Sequence, residues 1–224
     1  PDGKKGVEDP GSPIYLDENI ISQPAAALQL VAKEIFRMSD QVRDILKKTI
    51  ELVKNEEVKS IDGLKENGEQ VERLGKCITE YLAALFSSGS LTEQQAAQTA
   101  SLMCVLSDVE RMGTLSVEMA ECMLERSDRK YKYTPEAMDE LQKSLKVLNK
   151  MFCDSLKALQ GDDGIEPGKM MKRKDKLLDL DIKMRKAHIE RVNKGKCKAS
   201  LTAPFTNILH LIDRMGNSCI NLAR

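Results

Sequence analysis

The sequence contains no tryptophan, and aromatic residues make up only 4% of it, so the residue types that favour strands and that stack on bases are scarce. Charge of one sign is missing too. The 35 basic and 35 acidic residues cancel, leaving no net field to gather nucleic acid or anionic lipid. No apolar run reaches the roughly 18 residues that a membrane-spanning helix needs, and no signal peptide opens the chain. The six cysteines, Cys77, Cys104, Cys122, Cys153, Cys197 and Cys219, include no C-x-x-C pair. Their scatter excludes a zinc site or disulfide framework and points to a reducing compartment, with each Cys a small buried hydrophobe.

Catalytic signatures are equally sparse. There is no Gly-rich phosphate loop, no nucleophile motif and no His with an obvious carboxylate partner, so the chain reads as a non-enzyme. A ferritin-like di-iron centre needs Glu-x-x-His on two helices. Here Arg185 stands three residues before His188 and Asn207 three before His210. Both His are therefore read as satisfied side chains at a helix surface. The densest basic run, "KMMKRKDKLL" with Lys169, Lys172, Arg173, Lys174 and Lys176, has no aromatic residue for stacking and reads as a solvated helix face, with no nucleic-acid partner.

What is abundant is Leu, Met, Ala, Lys and Glu, a usage that favours long helices. Residues 1–20 read as a Pro-, Gly- and charge-rich linker whose sticky part is Ile14, Tyr15, Leu16 and Ile20. A first helix begins near Ser22 and carries Leu28, Val31, Ile35, Met38, Val42, Ile45, Thr49 and Leu52 at helical spacing. Helix two carries Leu64, Val71, Leu74, Ile78, Leu82 and Leu85, and helix three runs from about Leu91 to Arg126. Thr134 caps a fourth helix with Pro135 in its first position. A fifth runs from Glu166 to Val192, and a sixth from Leu201 to the terminus.

Helices three and six repeat one text. "LSDVERMGTLSVEMA" aligns with "LHLIDRMGNSCINLA", Asp213 standing 103 residues after Glu110, which marks an internal duplication. The expected fold is all-α, two tandem antiparallel three-helix bundles, with one repeat over residues 21–130 and a second over 131–224. Glu110 and Thr114 share a helix face, as do Asp213 and Asn217. Gly113 and Gly216 each weaken a helix interior by about 1 kcal/mol against Ala, which close approach of a neighbouring helix would explain.

"SDVERMGT", "HLIDRMGN" and the longer "AHIERVNKGKCKASLTAPFTNILHLIDRMGNSCINLA" resemble the PhoU domain, in the version found at the cytoplasmic C-terminus of bacterial sodium/phosphate cotransporters. The resemblance covers nearly the full chain. "YLDENIISQPAAALQLVAKEIFRMSDQV" is similar to the entry into that domain after the last membrane helix, in keeping with a chain that opens Pro-Asp-Gly without Met. The resemblance implies a regulatory domain on the cytoplasmic face of the cell membrane, partnered by the membrane domain of the parent transporter. Its alternative is a free-standing metal-binding regulator of phosphate transport or signalling. A third reading is a helical scaffold that forms a homodimer through an exposed apolar stripe.

The family also implies carboxylate pairs four residues apart that hold iron or another divalent metal. Thr114 and Asn217 stand where that pattern ends in Asp, so the third-helix pair is broken in both copies. The remaining metal candidates are Glu69 (with Asp62 and Glu66 beside it), Glu110, Asp175, Asp179 and Asp213. Against a metal stands the reading that Glu110 and Asp213 pair with Arg111, Arg214 or a basic residue on a neighbouring helix.

Overall fold

The computed structural model describes residues 9–56, 58–124, 132–161 and 166–223, and among them there are six long helices and no strand. The helices are α1 (Pro24–Asn55), α2 (Ile61–Ser87), α3 (Glu93–Leu124), α4 (Pro135–Leu159), α5 (Pro167–Asn193) and α6 (Thr202–Leu222). Their borders follow local chemistry. Thr92 and Gln95 form a reciprocal capping box at the start of α3, the Gln95 side chain accepting from Thr92 N at 3.0 Å and Thr92 Oγ1 accepting from Gln95 N at 3.2 Å. That box is why α3 begins at Glu93 rather than Leu91. Thr134 caps α4 through Ala137 N at 3.2 Å. α1 begins at Pro24, whose fixed φ suits a first helical position, and ends on Glu56, left-handed at φ 52°. Arg126 and the border between residues 130 and 131 lie outside the described residues.

All eight stripe residues of α1 are buried, as are the six of α2. α1, α2 and α3 pack together, as do α4, α5 and α6, and the two sets join through α3 on α6 and α1 on α4. One continuous apolar core results. Three contacts give the sense of the α3–α6 crossing. Ser116 Oγ meets Met215 Sδ at 3.7 Å, Asn221 Nδ2 donates to Asp108 Oδ1 at 3.4 Å, and Cys122 Sγ lies 3.6 Å from Pro204 O. Earlier residues of α3 meet later residues of α6, so the helices are antiparallel and cross near Gly113 and Gly216. The duplicated motif therefore lies at the pseudo-symmetric centre of the molecule. Because α3 touches α1, α2 and α6, apolar residues are spread around its circumference instead of along one stripe.

The N-terminal segment does not hang free. The fully buried carboxylate of Glu34 on α1 accepts from Ile14 N at 2.6 Å, Tyr15 N at 2.9 Å and Arg37 Nε at 2.8 Å. Arg37 also donates to Ser12 O at 2.5 Å, Gln41 to Pro10 O at 3.0 Å, and Tyr81 Oη to Asp17 O at 2.8 Å. Leu16 and Ile20 pack on the core, whereas the side chains of Ile14 and Tyr15 stay exposed. Residues 9–21 thus form a strap across α1 and α2, held by polar side chains and by the packing of Leu16, Ile20 and Ile21 on the core.

Two expectations are corrected here. His188 is buried, 3% exposed, not at the surface. It lies on the inner face of α5 with Leu177 and Met184, stacks on Phe205 at 4.8 Å, and its Nε2 is 2.9 Å from Thr202 Oγ1. Of the cysteines only Cys197 and Cys219 are buried; Cys77, Cys122 and Cys153 are half-buried, and Cys104 on the outer side of α3 is exposed. No disulfide joins them.

Candidate functional site

In the first repeat, α2 and α3 leave a groove along their seam. Gly68, Glu72, Glu110 and Thr114 line one stretch of about 400 Å³. Glu69, Glu72, Thr114, Glu118 and Glu121 line the next, of about 440 Å³. Gly75 makes this arrangement feasible, because a Cβ there would collide with the Glu110 carboxylate, which lies flat on α2. Burial raises the Glu110 pKa above the ordinary carboxylate value, and the nearby Glu72 raises it further. Lys65 faces Glu121 at 3.7 Å on the groove's rim.

The second repeat solves the same position differently. Lys174 on α5 donates to Asp213 Oδ1 at 2.8 Å and to Asp213 O at 3.3 Å, so the acidic residue of the second motif is held by an ammonium from a neighbouring helix. Arg173 beside it turns to the buried Asp154. Two of the five cations in the basic run are therefore internal partners, and Lys169, Lys172 and Lys176 are exposed.

The metal candidates are not brought together. Glu69 is exposed on α2, and Asp175 and Asp179 are exposed on α5. Glu110 rests on α2, and Asp213 is taken by Lys174. Among the described residues no group of three or more His, Cys, Asp or Glu gathers as a metal site.

The two motif glycines differ. A methyl added at Gly216 would stand 2.8 Å from Leu177 Cδ2 and 3.2 Å from Lys174 Nζ, closer than side chains pack. At Gly113 it would meet Val42 at 3.4 Å and Val71 at 3.6 Å, which is ordinary contact. Thr114 and Asn217 both face solvent. Sequence reasoning missed Gly75, Lys174 and Glu34. Gly75 and Glu34 each interrupt a helical apolar pattern, a signal that was legible; Lys174 was hidden inside a run of like charges.

The class that fold and site define is a helical-bundle protein with a duplicated three-helix unit, a polar seam along its motif helix and no assembled catalytic group among the described residues. Residues 35–123 match the family model of the PhoU domain, from within α1 to the end of α3. Over 192 residues, 86% of this chain and 80% of the relative, the sequence is 24% identical to the phosphate-specific transport system accessory protein PhoU homolog 1 of Thermotoga maritima. None of the described helices is long and apolar enough to cross a membrane.

Proposed function

We propose that this chain regulates phosphate transport through protein contacts, as a cytosolic domain that modulates a sodium-dependent phosphate transporter at the cytoplasmic face of the cell membrane. The observation that carries the reading is the 192-residue similarity to a phosphate-transport accessory protein, which extends beyond the matched domain into the second repeat. The strap supplies a mechanical route. Because Glu34 fixes backbone of residues 14 and 15 to the first third of α1, a displacement of the strap loads that part of the bundle core directly. A partner that favours strap-bound over strap-released bundles would shift that equilibrium by its difference in affinity.

Labelled phosphate uptake in cells lacking the chain, compared with cells complemented by wild type, tests this; equal uptake in both would overturn it. The name of the Thermotoga relative, an accessory protein, favours a second reading, a free-standing regulator. Membrane fractionation of the native protein separates the two. In the first reading regulation runs without a resident metal, whereas the free-standing alternative is a metal-binding regulator. Stoichiometric iron, zinc or manganese in the purified protein, lost in Glu110→Ala and Asp213→Ala, would replace that view.

A further inference from the structure

A groove of about 940 Å³, more than twice the size of either stretch of the α2–α3 seam, runs between the strap and α2. Its α2 wall is written in the sequence. Cys77, Tyr81, Ala84 and Ser88 recur at steps of four, three and four residues and so share one helix face. The opposite wall is the strap, where Pro13, Leu16 and Ile21 turn to the groove whatever surface they do not bury. Tyr81 Oη, donating to Asp17 O at 2.8 Å, bridges the two walls.

Charge inside the groove is of one sign. Glu18 enters from the strap and Glu80 from α2, both exposed, and no Lys, Arg or His lines the space. Neither carboxylate has an ion-pair partner among the described residues. Two unpaired anions on opposite walls of an apolar channel favour a cation between them. The α2–α3 seam is acidic as well, but it carries cations of its own, Lys65 and Lys76, and little apolar wall.

The shape narrows the occupant further. Ser88 and Ser90 are exposed along with Glu18 and Glu80, so the groove stays open to solvent along its length. A small ligand is ordinarily held by enclosure of most of its surface. An open channel suits a chain laid along it. From Cys77 to Ser88 the helical wall runs about 17 Å, the length of about five extended residues.

We infer that this groove takes a short segment of a partner protein that is both apolar and basic, its apolar side chains against Leu16, Ile21 and Ala84 and a Lys or Arg between Glu18 and Glu80. The inference rests on the transport reading for the source of the segment, because cytoplasmic loops beside membrane helices carry an excess of Lys and Arg next to apolar sequence. The strap is one wall of the groove, so a bound segment holds the strap in place. That supplies the difference in affinity between strap-bound and strap-released bundles which the regulation requires.

Fluorescence anisotropy of the full chain with short labelled peptides tests it, at about 0.15 M salt, where attraction between exposed charges is screened beyond about 8 Å. A peptide alternating Leu with Arg should bind. The same pattern with Glu in place of Arg, or with Gly in place of Leu, should bind at least about tenfold more weakly. Glu18→Gln with Glu80→Gln should weaken the Leu–Arg peptide about fivefold, as loss of two exposed ion pairs requires. Ala84→Arg, which fills the groove and adds a like charge, should abolish binding. These three positions are exposed, and helix content by circular dichroism verifies that each variant folds. Amide exchange should show residues 9–21 gaining protection when the peptide is bound. A Leu–Arg peptide that does not bind overturns the proposal, as does binding that survives Ala84→Arg, that the Gly–Arg peptide equals, or that leaves residues 9–21 unprotected. Phosphate uptake indifferent to deletion of the chain would sink the transport reading while groove-specific peptide binding still stood; a transport effect without peptide binding would sink the groove alone.

Discussion

Replacing Glu34 by Ala removes the one buried acceptor that ties residues 14 and 15 to α1. Glu34 Oε1 takes both strap amides and Oε2 takes Arg37 Nε. Hydrogen bonds to a charged acceptor contribute about 1.5–3 kcal/mol each. The three donors are not orphaned, however, because Ile14 and Tyr15 lie at the surface and the Arg37 side chain keeps 18% of its exposure. Water replaces most of what is lost once the strap lifts, and the freed residues regain backbone entropy of about 1–2 kcal/mol each. The net loss works out at about 2–3 kcal/mol. For a chain of this size each kcal/mol moves Tm by about 2–4 °C, giving a fall of about 4–12 °C. Amide exchange followed by mass spectrometry locates the effect: residues 9–21 should lose protection while α4 to α6 keep theirs. Glu34→Gln retains an oxygen for the two amides but faces Arg37 with an amide nitrogen, so it should destabilise less and keep the strap protected. Unchanged strap protection in Glu34→Ala, with Tm moved by less than about 1 °C, would refute the reasoning.

The two motif glycines should respond oppositely. Gly113→Ala has room for the methyl and gains helix propensity, so urea unfolding should show it neutral to about 1 kcal/mol more stable. Gly216→Ala pushes on Leu177 and the Lys174–Asp213 contact and should cost about 1–2 kcal/mol net in the same assay. The Glu110 pKa is raised in the folded state, so its contribution to stability is present below the ordinary carboxylate pKa and is lost as pH rises through the folded one. Glu110→Gln should therefore flatten the pH dependence of unfolding in that interval and be the more stable protein at neutral pH. The His188 pKa is lowered, by burial first and then by Arg191, so its contribution holds above the unfolded value near 6.5 and is lost as pH falls through the folded one. Wild type should lose stability on acidification in that range, and His188→Phe should lose less.

Much of this architecture was legible in the sequence because helical periodicity and duplication are carried by apolar residues whose burial is nearly obligatory. The α1 stripe and the Thr134 cap are examples. What escaped the sequence was decided by partners distant along the chain. The strap looks like a linker because its polar anchors, Glu34, Arg37, Gln41 and Tyr81, lie about twenty or more residues away and hold main-chain groups that no side-chain pattern reports. Lys174 looks like one of five solvated cations until α6 places Asp213 beside it. His188 looks peripheral because α5 is so polar overall, yet its spacing from Leu177 and Met184 puts it inward. Identity at a position shows which groups are available, and only the packing of α2 on α3 and α5 on α6 shows that Glu110 and Asp213 are engaged separately.

The central proposal is that this chain acts on phosphate transport by contact and without a metal of its own. The most direct measurement is the initial rate of labelled phosphate uptake in cells lacking the chain, complemented by wild type, by Glu34→Ala or by the Glu110→Ala/Asp213→Ala double variant. Our account predicts that deletion changes the rate, that wild type restores it, that strap release does not, and that the double variant restores it in proportion to the folded protein present. An uptake rate indifferent to deletion would contradict the function, and a folded double variant that behaves as the deletion would contradict the metal-free mechanism.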